Sequence, residues 1–182
     1  IDSLANNGLY WPHFLSNAHR SFGSLPNILA SLPPSNEERG IINKVDHKDR
    51  VNYPTHQSIV SLLNDNDYHT SHFYPGWSGF DHIKPYMLSL GVDHFVEQSD
   101  FDTLNYPRYG AWGFSDYELY RKGLDDLDGV KEDLPKLSIF QTIAFHSPFD
   151  MVAPKYYSEA YLASKKERLF QLGETNQVAC FG

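Results

Sequence analysis

The chain has 182 residues, of which 41% are hydrophobic and 15% aromatic, and a formal net charge of −8. That is enough apolar material for one sizeable core and one domain, and it leaves no basic stripe to neutralise a phosphate backbone, which excludes a nucleic-acid surface. No apolar run reaches the roughly 20 residues needed to cross a bilayer, and the single cysteine, Cys180, excludes an internal disulfide or a CxxC-type zinc site.

In chain order, Asp2 to Asn7 reads as the end of a helix stopped by Gly8, and Leu9 to Leu15 as a short strand. Ser21 to Ser31 has the pattern of a helix closed by Pro33 and Pro34, with Pro26 inside its early turns. Asn36 to Asn52 is polar, charged and aperiodic, the signature of an exposed excursion. Ile59, Leu62 and Leu63 suggest a helix over Thr55 to Leu63, and Thr70 to Tyr74 suits a buried strand. Ser78 to Leu90 reads as one helix ended by Gly91. Ser115 and Glu118 have capping-box spacing, which starts a helix from Asp116 to about Leu127. Leu137 to Phe145 is the strongest strand pattern, bounded by Pro135 and Pro148, and Glu159 to Leu172 has helical spacing in which Lys165, Lys166 and Arg168 form a solvated face. This alternation favours a mostly parallel sheet with helices on both faces. Ligands of such sheets gather at the carboxyl ends of the strands, where Ser21, Gly76 and His146 all fall.

The residues there carry more than one reading. His19-Arg20-Ser21 opens a helix, and a helix N-terminus presents free N–H groups and a positive dipole end to an anion. Ser21 is then a nucleophile, or it is the helix cap, for which serine is equally suited. Arg20 holds a phosphate oxygen or is a surface charge. His146, at a strand end before Ser147-Pro148, is a donor to a reacting oxygen or a turn-capping histidine. Trp112 and Asp116 either line the pocket or serve as core and helix-start residues. A Ser-His-Asp hydrolase built on Ser21 or Ser78 with His146 is a weaker alternative, because no G-x-S-x-G elbow occurs in the chain.

Four stretches, in order, resemble the lipoteichoic acid synthase-like branch of the bacterial sulfatase and alkaline phosphatase superfamily. They are Ile1 to Pro34, including Phe14-Leu15-Ser16-Asn17-Ala18-His19-Arg20-Ser21; Tyr68 to Asp81 with Leu90-Gly91-Val92-Asp93-His94-Phe95; Tyr109-Gly110-Ala111-Trp112-Gly113-Phe114-Ser115-Asp116; and Ser138 to Phe149. The resemblance implies an alkaline phosphatase-like three-layer α/β/α sandwich with a mostly parallel sheet, present as a partial domain. It makes Ser21 both nucleophile and metal ligand and turns His146 toward the transferred group. Arg20, Asp81 and Trp112 become candidate substrate contacts.

The implied activity is metal-dependent transfer or hydrolysis of a phosphoryl or sulfuryl ester, through a covalent ester on Ser21. The expected cofactor is a divalent ion (Mn, Mg, Ca or Zn), and the expected partner is a lipid-linked or glycan phosphodiester or sulfate ester. Residues 1–182 are expected to form one partial catalytic domain. On this reading an acidic metal-ligand strand would precede Ile1, an Asp-His metal pair would follow Gly182, and the ligand set within the chain is incomplete. Members of this family work on the extracytoplasmic face of the membrane, tethered by helices outside this stretch.

The chain also departs from the family. Asp81-His82-Ile83 stands where lipoteichoic acid synthases have a Trp-Asn-Arg run that contacts the glycerophosphate, so the resemblance does not by itself assign that substrate. No x-Pro-x-Arg follows the nucleophile, so the formylglycine chemistry of true sulfatases is not expected. A non-catalytic binding module, or an inactive fragment of the family, is the alternative reading.

Overall fold

The computed structural model describes residues 6–11, 13, 21–32, 56–131, 133–144 and 146. The expected excursion over 36–52 and the helix over 159–172 lie outside these residues. Leu9, Tyr10 and Trp11 are exposed and form no strand.

Helix α1 spans Ser21–Ala30 and contains Pro26. It stops before the prolines that the sequence points to. Ser31 turns left-handed at φ 53, its N–H still reaches Asn27 O at 3.0 Å, and the Asn27 side chain donates to Leu32 O at 3.2 Å. Helix α2, Ile59–Asn64, is fixed at its start by Ser58. The Ser58 hydroxyl accepts from Ser61 N at 3.0 Å, and Ser61 Oγ returns the bond to Ser58 N at 2.9 Å, so two N-terminal donors are satisfied reciprocally.

Three parallel strands follow: β1 (His69–Phe73), β2 (His94–Val96) and, late in the chain, the strand Lys136–Phe140. The expected single helix over 78–90 is instead a 3-10 turn, Phe80–His82, followed by helix α3, Ile83–Ser89. The break falls at His82, which is left-handed at φ 54 and cannot continue a right-handed helix. Gly91 ends α3 at φ 91, as its position predicts. A short hairpin, β3 (Arg108–Tyr109) with β4 (Gly113–Phe114), leads into α4, Asp116–Asp128. Ser115 caps α4 by accepting from Glu118 N at 3.4 Å, but Glu118 does not complete the box: its buried carboxylate pairs with Arg121 at 3.0 Å.

The last strand, β5, is shorter than its sequence pattern, ending at Phe140 rather than at Phe145. Sheet pairing persists only as far as Gln141, whose N–H donates to Phe73 O at 3.0 Å.

The sheet order is β2-β1-β5, all parallel, with Phe73 level with Val96 on one side and with Phe140 on the other. From β1 the chain therefore crosses to one neighbour through α3 and reaches the other through α4. The crevice between β1 and β5, at their carboxyl ends, is a topological switch point, the place where open α/β sheets bind ligands.

Helices cover both faces. On one, Leu25 and Leu29 of α1 join Val60, Ile83, Tyr86, Met87 and Tyr74; on the other, Phe73, Val96, Phe101 and Phe114 pack with Leu119 of α4. Each fully buried side chain of this size contributes about 1.5–3 kcal/mol. Gly123 sets how closely α4 approaches the sheet, because a Cβ there would collide with the Phe140 ring. At the amino end of the sheet Asp93 accepts from Thr70 N at 2.9 Å, Thr70 Oγ1 at 3.0 Å and Asn64 Nδ2 at 3.2 Å. Partial burial raises the Asp93 carboxyl, but these bonds and nearby His69 outweigh it and hold it below its ordinary range.

Candidate active site at the carboxyl edge of the sheet

At the switch point β1 runs into Tyr74-Pro75-Gly76-Trp77-Ser78 and β5 into Gln141 to His146. The β3–β4 hairpin closes over the first loop: Phe114 N donates to Pro75 O at 3.0 Å, and Gly76 and Gly113 form an antiparallel bridge. At both glycines a Cβ would crowd its neighbours, at Gly113 against backbone. At Gly113, φ 145, a side chain would drive into Pro75 O; at Gly76 a Cβ would lie 2.9 Å from the Tyr74 ring and 3.1 Å from Ile143.

The second half of that loop is braced from beneath. Glu97, just beyond β2, accepts from Ser78 Oγ at 2.6 Å and Ser78 N at 3.3 Å and pairs with Lys84 Nζ at 2.6 Å. Its burial pushes the carboxyl up, yet Lys84 and Ser78 favour the charged form more strongly and hold it below the usual carboxylate range. The brace leaves Trp77 exposed, its ring folded over Gly79.

Of the residues singled out in the sequence, the structure brings two into contact. The His146 ring lies on Trp112, centroids 4.2 Å apart and planes tilted by 55°, and Trp112 in turn meets the edge of Phe80 at 5.5 Å. His146 is exposed and Trp112 half-buried, so the pair presents a polar ring edge above an indole wall. Asp81 follows Phe80 within the same 3-10 turn, which puts its backbone beside this wall; its side chain lies outside the description. Ser21 is the first residue of α1, as expected, and α1 shares an apolar cluster with Tyr74 and Ile143. The Ser21 side chain and all of Arg20 lie outside the described residues.

Two features escape sequence reading. One is the Ser78–Glu97–Lys84 brace, whose members are 13 and 19 residues apart. The other is the reach of Asp116, a pocket-lining or helix-start residue on the sequence alone: its Oδ1 accepts from Ile143 N at 2.9 Å and Ala144 N at 3.1 Å.

Among the described residues no group of three or more His, Cys, Asp or Glu converges. These residues alone do not form a cradle for a divalent ion. No helix among them is long and apolar enough to cross a membrane.

Comparison with known proteins identifies the family and the fold. A comparison with curated proteins returns no match. Among solved structures, the chain is similar to the lipoteichoic acid synthase LtaP from Listeria monocytogenes, with a TM-score of 0.71 and 20% identity over 95% of this chain and 46% of that one. It is also similar to a protein of the alkaline phosphatase superfamily from Vibrio parahaemolyticus, with a TM-score of 0.58 and 29% identity over 75% of this chain and 33% of the other. The chain thus spans less than half the length of these relatives. The sulfatase family model matches residues 1–180. With a parallel α/β sheet of the alkaline phosphatase type and that match along nearly its whole length, the chain belongs to the sulfatase family of the alkaline phosphatase superfamily.

Proposed function

We propose that this chain contributes the nucleophile and one substrate-facing donor to a metal-dependent transferase or hydrolase of phosphoryl or sulfuryl esters. The observation that carries the reading is the exposed His146 ring, held on Trp112 at the switch point of a sulfatase-family sheet. Ser21, opening α1 after Arg20, is the nucleophile: its oxygen, having given up the hydroxyl proton to solvent, attacks phosphorus or sulfur in line. The bond to the ester oxygen breaks, that oxygen leaves with a proton from His146 or solvent, and a covalent Ser21 ester results. His146 donates to a non-bridging or leaving-group oxygen, which stabilises the charge that develops there. The Trp112 face, with Arg20 and Asp81, binds the remainder of the substrate.

A divalent ion, with Ser21 as one ligand, supplies Lewis-acid polarisation of the ester when bound. The described residues do not hold it by themselves, so its other ligands lie outside them. The substrate class is a lipid-linked or glycan phosphodiester or sulfate ester, by likeness to a lipoteichoic acid synthase. The corresponding location is the extracytoplasmic face of a membrane.

The test is turnover of bis(p-nitrophenyl) phosphate, p-nitrophenyl phosphate and p-nitrophenyl sulfate by the full-length protein. Each is assayed with added Mn, Mg, Ca or Zn, and again after chelation. The reading expects ester cleavage that chelation abolishes and that His146→Gln lowers about 10²–10³-fold. Chelator-insensitive turnover removes the metal-dependent reading, and no turnover with any ester leaves a binding module.

A further inference from the structure

We propose that Asp116 is a positioning residue for His146, acting through the backbone of the segment that follows β5. The functional consequence rests on the reading of His146 as a substrate-facing donor; the geometry stands without it. A carboxylate in the first turn of a helix ordinarily turns to the N–H groups of that turn. In α4 that capping is done by Ser115, and Asp116 Oδ1 reaches out to the amides of Ile143 and Ala144, 27 and 28 residues further on.

Those two amides need a partner. The ladder with β1 ends when Gln141 N donates to Phe73 O, and without Asp116 the next turn would carry orphan donors next to the buried side chain of Ile143. Charge-assisted bonds from two successive N–H groups to one oxygen fix both the direction and the twist of the chain there. The turn then closes on itself, with His146 N donating to Ile143 O at 3.0 Å.

The ring of His146 is referenced to the same body. It lies on Trp112, and Trp112 is followed by Gly113-Phe114, which grips Pro75 O, and then by Ser115-Asp116. One hairpin and helix start therefore hold the histidine twice: its backbone turn through Asp116 and its ring through Trp112. An exposed imidazole is thereby restricted to one orientation above the crevice between β1 and β5. Pre-fixing a donor in this way lowers the ordering cost at the transition state.

The experiment compares Asp116→Ala and Asp116→Asn with wild type by NMR and by kinetics on bis(p-nitrophenyl) phosphate. In Asp116→Ala, amide exchange at Ile143 and Ala144 rises at least about 10-fold, and the ring-current shift that Trp112 imposes on the His146 Hε1 proton falls by half or more. Asn keeps an acceptor oxygen in the same place, so Asp116→Asn restores both signals. In the full-length protein Asp116→Ala lowers kcat roughly 10- to 100-fold with little change in KM, and lowers it no further when His146→Gln is already present.

Unchanged exchange in Asp116→Ala overturns the proposal. So does failure of Asn to rescue, or an equal loss of kcat with and without His146. If wild type cleaves no ester while both NMR signatures respond as stated, the proposed function fails and the anchoring of the His146 turn stands.

Discussion

Replacing His72 by Phe flattens the acid dependence of stability. His72 lies in the middle of β1, fully buried and stacked on Phe95 with centroids 4.9 Å apart, and neither ring nitrogen completes a hydrogen bond. Burial drives its pKa down from 6.5 to about 4, and the nearby Gln141 side chain offsets only part of that. Because the folded value lies below the unfolded one, the unfolded chain binds more protons between these limits, so stability rises with pH across the window and is lost on acidification. The full gap amounts to about 3 kcal/mol below pH 4, and the part lost between pH 7 and pH 5 is about 2 kcal/mol.

His72→Phe keeps an aromatic ring beside Phe95 and removes the titrating group. Denaturant unfolding of both proteins at pH 7 and pH 5 therefore gives a wild-type-minus-variant difference that shifts by about 2 kcal/mol against wild type at the lower pH. The subtraction cancels the carboxylates common to both chains. A difference constant with pH refutes the reasoning and means that the ring is solvated or paired when folded.

Other perturbations test the frame of the site. Gly113→Ala forces a side chain into Pro75 O at a positive φ and costs about 2–4 kcal/mol, read as a lowered Tm. Ser78→Ala removes a short bond to a charged, largely buried carboxylate and costs about 1.5–3 kcal/mol near neutral pH. Glu97 is held below its ordinary range when folded, so this contribution is present above the unfolded carboxylate value of about 4.3 and fades as pH falls through the folded value. Unfolding curves at neutral and acid pH check both the size and the sign. Trp112→Leu removes both the surface that orients His146 and the face proposed to bind substrate, so it lowers kcat and raises KM for the ester together, measured by steady-state kinetics.

Local chemistry was readable from the sequence wherever a few neighbouring residues decide the outcome. The start of α1 at Ser21, the Ser115 cap of α4 and the Gly91 stop of α3 each depend on one turn of backbone. The single-helix reading over 78–90 failed at His82, whose left-handed backbone is imposed by the fold and carries no signal in an otherwise helical pattern. β2, β3 and β4 span two or three residues, too few to display a period. β5 was read too long because Ile143 stays buried after pairing ends: burial continues the apolar run, while the amides of Ile143 and Ala144 turn to Asp116. At the site, the residues proposed to meet substrate were easier to nominate than those that support them. Asp116 and Glu97 act through bonds to distant segments, and only the folded chain brings those together.

The most direct test of the central claim is intact-mass analysis of the protein after brief incubation with bis(p-nitrophenyl) phosphate or phosphatidylglycerol in the presence of divalent metal. Wild type and Ser21→Ala are run side by side. The account predicts a covalent phosphoryl-type adduct that maps to Ser21 and is missing from the Ala variant. Turnover without any adduct, or an adduct that survives Ser21→Ala, contradicts it and returns Ser21 to the role of helix cap.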